Sequence, residues 1–125
     1  MGIPRTNTAL ENELAPATLK RRVLLKNGVE VNRSTDGRYE VHGELNYASV
    51  SDVYKETAPL FRQESDLAID LSGVTHSDSA GVALLVEWLS EARERNQPIH
   101  FFNVPEQMLE VVRISSLDRV LPISS

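Results

Sequence analysis

A chain of 125 residues without cysteine and with three histidines is one domain-sized unit, large enough to bury a single core. Disulfides, thiolate metal sites and thiol nucleophiles are excluded, and the scattered His42, His76 and His100 make a zinc site an unexpected feature. The formal net charge of −5 is uneven: residues 1–28 hold five Lys or Arg against two Glu, and residues 29–125 hold eight against sixteen Asp or Glu. So acidic a globular part would be repelled by nucleic acid, whose binding depends on neutralising phosphates.

Residues 1–28 read as a flexible basic N-terminal extension, with Pro4, Pro16 and the group Lys20-Arg21-Arg22 and at most a short helix near residues 17–25. Pro4, Arg5, Asn7, Glu11, Asn12 and Glu13 interrupt any secretory signal. No apolar run approaches the roughly 20 residues needed to span a bilayer. The expectation is a soluble protein inside the cell.

From Val29 the pattern sharpens. VEVNRS, the turn signal TDG and RYEVHGEL predict a β-hairpin. Residues 47–62 predict a helix with Val50, Val53, Tyr54 and Leu60-Phe61 on one side, disturbed by Pro59 in its last turn. LAIDL at 67–71 predicts a short buried strand. A helix from about Ser79 to Arg95 follows, then a stop at Asn96-Gln97-Pro98, a strand at 99–104, and a helix opened by Pro105 that runs to about Ile114. Residues 117–123 close the chain as a turn or strand. Strands alternating with helices imply parallel pairing through crossovers. The predicted fold is α/β, a small mixed β-sheet with helices packed mainly on one face.

The segment IDLSGVTHSDSAGVALLVEWL at 69–89 carries the chemistry. His76, Asp78 and Ser79 are triad residue types, but they lie one to three positions apart, whereas a triad converges from separate elements. The turn Ser77-Asp78-Ser79-Ala80-Gly81 is not a Gly-x-Ser-x-Gly elbow. No Gly-x-x-x-x-Gly-Lys-Ser/Thr phosphate loop occurs. No catalytic residue, metal or cofactor is expected. Asp78 is a good N-cap, and Gly81 would permit close packing. At 100° per residue the apolar arc of the helix, from Leu84 and Trp88 round to Val82 and Val86, is wider than one sheet face requires. Ser79, Val82, Val86 and Arg93 share one border, and Trp88 lies at the other, in the core or at an interface. A hydroxyl aligned with aliphatic residues along a helix edge points to protein recognition rather than catalysis.

These residues carry a resemblance. Gly43-Glu44-Leu45 ending a hairpin strand, Ile69-Asp70-Leu71-Ser72, and Asp78-Ser79-Ala80-Gly81 opening an aliphatic helix are similar to the STAS domain, over residues 29–125. That family includes bacterial anti-sigma factor antagonists and the STAS subunit of the Mla phospholipid transporter. In the antagonist branch the resemblance implies phosphorylation of Ser79 by a partner serine kinase, which switches binding to an anti-sigma factor. In the transporter branch it implies a non-catalytic subunit that binds and supports the cytoplasmic ABC ATPase of an Mla-type system maintaining outer-membrane lipid asymmetry. Such a subunit would be cytoplasmic and peripheral to the inner membrane through the complex. Two features depart from the antagonists: Ala80 stands where a second serine is common, and Thr75-His76-Ser77 is polar where they tend to be hydrophobic. The transporter branch is therefore preferred, with Ser79, Asp78, Gly81, Val82 and Val86 at the contact beside the 105–114 helix.

Overall fold

The computed structural model describes residues 19–124. Six strands form one sheet in chain order: β1 (Lys20–Lys26), β2 (Val29–Ser34), β3 (Arg38–Leu45), β4 (Leu67–Ser77), β5 (Ile99–Phe102) and β6 (Ile123–Ser124). β1, β2 and β3 pair antiparallel, and β3 through β6 pair parallel. Helices α1 (Val50–Phe61), α2 (Ser79–Glu94) and α3 (Glu106–Ile114) make the crossovers between β3, β4, β5 and β6. Successive right-handed crossovers that advance in one direction leave their helices on the same face. The strand residues under them, among them Val31, Val41, Ile69, Leu71 and Phe101, are buried. The opposite face is polar and closes on itself, with Lys20–Glu40 at 3.0 Å and Arg38–Asp70 at 3.8 Å. The Arg38 guanidinium also lies 4.4 Å from the Phe102 ring centre.

The hairpin, the parallel pairing and the positions of the three helices follow the sequence reading. The N-terminal expectation does not hold from residue 20 onward. Lys20–Lys26 is a strand in register with β2 rather than a short helix or part of an extension; residues 1–18 lie outside the described residues. The signal was Asn27-Gly28, both with positive φ (52° and 79°), a pair that favours the tight turn matching strand twist. A register shift between Arg22 and Leu24 breaks the alternation and so hides the strand. β4 is also longer than expected, continuing through Thr75-His76-Ser77, and it delivers the polar turn to the carboxyl end of the sheet.

An aromatic chain ties the layers together. Tyr39 of β3 meets Phe61 of α1 at 4.8 Å between ring centres, and Phe61 meets Trp88 of α2 at 5.4 Å. The Tyr39 phenol donates to Glu64 at 2.6 Å, and Arg33 Nε donates to the same carboxylate at 2.8 Å. Burial, then the bond to Glu64, pushes the phenol up to about 12, while the Arg33 bond holds Glu64 below its ordinary value against burial. A raised phenol stabilises the fold fully below its unfolded value of about 10, and that contribution is lost as pH rises through the folded value. Alkaline titration is therefore expected to show one tyrosine ionising only near pH 12, together with unfolding. Tyr39→Phe should remove that step; its persistence in the variant would assign it elsewhere.

Candidate functional site

The site lies where β3 and β4 end and α2 begins. Asp78 is extended (φ −98°, ψ −168°), and its carboxylate accepts from Ala80 N at 2.8 Å and from Tyr47 N at 3.2 Å. One oxygen caps the helix, a contribution of about 1 kcal/mol, and the other clamps the loop after β3. The Asp78 amide donates to the Leu45 carbonyl at 3.2 Å. Gly81 is buried against the same strand end. A Cβ there would strike Ser77 Oγ and stand 3.1 Å from both Cβ and carbonyl O of Leu45, so the close packing expected of Gly81 is present. From the other side, Gln107 of α3 accepts from Ser77 N at 3.3 Å, and its amide nitrogen lies 3.3 Å from His76 Nδ1.

Ser79 follows the cap as the first residue of α2, with its side chain exposed. The exposed residues along the same helical face are Ala83, Ser90 and Arg93, with Val86 half-buried among them. Val86 lines a shallow groove with Leu89, Ser90, Arg93 and Val120. Val82 does not belong to this surface. It is only 3 % exposed and packs in the core, lying about 60° from Leu85 in helix phase where Val86 lies about 100° away. Trp88 is a core residue at 2 % exposure, its indole N–H donating to Thr57 Oγ1 at 3.0 Å.

The triad residue types are not assembled. Asp78 spends its carboxylate on backbone amides, His76 faces Gln107, and Ser79 is exposed on the first turn of α2. Among the described residues no group of three or more His, Cys, Asp or Glu could hold a metal ion, and no helix is long and apolar enough to cross a membrane. The arrangement offers an exposed hydroxyl at the positive end of a 16-residue helix.

A feature not read from the sequence adjoins it. Tyr47, Val50, Ser51 and Tyr54 from one side and Ala80, Ala83, Leu84 and Glu87 from the other line an apolar groove of about 500 Å³. Val50 and Tyr54 share one helix face, a spacing visible in the sequence. That this face stops short of full burial depends on how far apart α1 and α2 sit.

The family model described as Mlab, STAS domain matches residues 31–122. A search of curated proteins returns no significant match. A Thermotoga maritima protein assigned as an anti-sigma factor antagonist superposes with a TM-score of 0.65 at 18% identity, covering 79% of this chain and 87% of that one. The phosphorylated form of the Bacillus cell fate determinant SpoIIAA superposes with a TM-score of 0.54 at 14% identity, covering 86% and 92%. The murine anion transporter Slc26a9 gives 0.57 at 11% identity, with 94% of this chain matched to 22% of the transporter. The structural likenesses are of fold, and the sequence match over residues 31–122 supplies the family: the chain belongs to the STAS domain family.

Proposed function

We propose that the chain is a non-catalytic subunit of an ABC-type phospholipid transport system of the Mla kind, binding and supporting its cytoplasmic ATPase. The observation that carries this reading is the match of residues 31–122 to the family model bearing the Mlab description. The exposed Ser79 would sit at the centre of the contact, with Val86 beside it and α3 at its flank. Asp78 and Gly81 hold the helix start in place, and Val82 seats the helix from below. The subunit would be cytoplasmic, held at the inner membrane through the complex, where the assembly serves to maintain outer-membrane lipid asymmetry.

A second reading, an anti-sigma factor antagonist switched by a serine kinase at Ser79, is favoured by one specific observation. The hydroxyl is exposed on the first residue of a long helix, where a phosphate meets the positive end of the dipole. It would bring about −1.5 to −2 charges into a contact surface.

One experiment separates the two. The full chain, wild type and Ser79→Glu, is used to capture an Mla-type transporter ATPase from its cell and, separately, is incubated with ATP and the serine kinases of that cell. The transporter reading expects the ATPase with wild type and at least about tenfold weaker binding for Ser79→Glu, since a buried unpaired charge costs more than 1.4 kcal/mol. Phosphate appearing on Ser79 while the ATPase fails to bind would overturn it in favour of the switch.

A further inference from the structure

The groove between α1 and α2 is apolar along its floor, and its charge lies at one wall. Val50, Ala80, Ala83 and Leu84 supply the floor. Among the described residues Glu87 is the only charged one lining it, and it has no ion-pair partner there. One turn on, Glu91 and Glu87 act together on the Tyr54 hydroxyl, whose pKa is raised by burial and then by its bond to Glu91. At the open end Tyr47 is 88% exposed, although its backbone is clamped by Asp78. A large aromatic ring held on a fixed backbone at the mouth of an apolar groove has the form of an interface anchor.

Charge decides among occupants. An anionic lipid surface would meet the unpaired Glu87, while Glu91 is already paired with Arg95 at 3.0 Å, and the exposed basic residues nearby, Lys26 on β1 and Lys55 and Arg62 at α1, are not among the residues lining the groove. A second copy presenting its own α2 would set Glu87 against Glu87. A helix with apolar residues at i, i+3 or i+4, and i+7 can lay that face on the apolar floor, and a cationic side chain on its flank would meet Glu87.

We propose that the groove between α1 and α2 receives a basic amphipathic helix of a protein partner, its apolar residues over Val50, Ala80, Ala83 and Leu84 and a lysine or arginine against Glu87. This contact adjoins the Ser79 border, with Ala83 common to both, and it deepens the proposed function by stating the chemistry of the partner segment. It rests on the reading that α2 faces the partner.

The test uses the full chain, with a leucine–lysine helical peptide and its leucine–glutamate counterpart as probes and backbone amide shifts as the readout. The lysine peptide should shift residues 47–54 and 80–87 and bind at least about tenfold more tightly than the glutamate peptide. Tyr47→Ala and Glu87→Lys should each weaken it at least about fivefold, with thermal melts unchanged because both side chains are exposed. Equal binding of the two peptides, shifts confined to β1 or the polar sheet face, or a dimer of the chain lost on Tyr47→Ala would overturn the proposal. The transporter ATPase is then captured with wild type and Glu87→Lys. Equal capture overturns the groove as a contact while the proposed function stands. No capture by wild type, with the lysine peptide seated in the groove, removes the proposed function and leaves the groove in place.

Discussion

Trp88→Ala is expected to lower the unfolding free energy by about 3–5 kcal/mol, the range for deleting a large buried aromatic side chain. The indole is 2 % exposed and packs on Phe61, which packs on Tyr39. Its removal therefore opens a cavity in the joint between α2, α1 and β3. The hydrogen bond is the smaller part. Thr57 Oγ1 accepts from the indole at 3.0 Å but also donates to the Val53 carbonyl at 2.8 Å, so Trp88→Phe should cost only about 1–2 kcal/mol. Urea unfolding followed by circular dichroism compares the variants, since no tryptophan fluorescence remains in either. A difference of less than about 1 kcal/mol between Trp88→Ala and Trp88→Phe would mean that ring burial is not the main contribution at this joint. Against a total stability of about 5–15 kcal/mol for a domain of this kind, the alanine variant should be partly unfolded at body temperature or close to it.

Gly81→Val should cost about 3 kcal/mol, and it should also displace the site. A Cβ at this position meets two different neighbours. Ser77 Oγ can rotate away, but Leu45 Cβ and carbonyl oxygen, each at 3.1 Å, belong to the end of β3. That carbonyl already accepts from the Asp78 amide. Alanine gains about 1 kcal/mol of helix propensity over glycine, which offsets much of an overpacking cost of about 1–3 kcal/mol, so Gly81→Ala is expected to be only mildly destabilised. Valine adds two methyl groups against the same wall without a comparable gain. The helix start that carries Asp78 and Ser79 must then move off β3, and partner binding should fall even in the folded fraction. Denaturant midpoints give the stability and amide spectra give the displacement. A Gly81→Val protein as stable as wild type, with unshifted Tyr47 and Ala80 amides, would show that the helix start has room to spare.

Much of this architecture was legible because it is written in local patterns. The alternation of residues 29–45 gave the hairpin, and the alternation of strands with helices after it gave parallel pairing. Asp78 could be read as a cap because its partner, the Ala80 amide, is two residues away. Ser79 could be placed at the border of the apolar face of α2 because helix phase sets it about 120° from Leu85.

What the chain order does not contain is which border of a helix its neighbours cover. Val82 and Val86 occupy the same helical border, yet Val82 is in the core and Val86 is half-exposed, on a groove shared with Val120 from the end of the chain. The second Asp78 oxygen bonds the amide of Tyr47, 31 residues earlier in the chain, and the groove between α1 and α2 exists only in their spacing. β1 went unread because a register shift removes the period-two signal on which strand recognition depends. Sequence periodicity, by itself, determined the fold class, the cap and the exposed hydroxyl. Tertiary packing alone decided which aliphatic residues remain at the surface, since burial is a property of pairs of elements and periodicity a property of one.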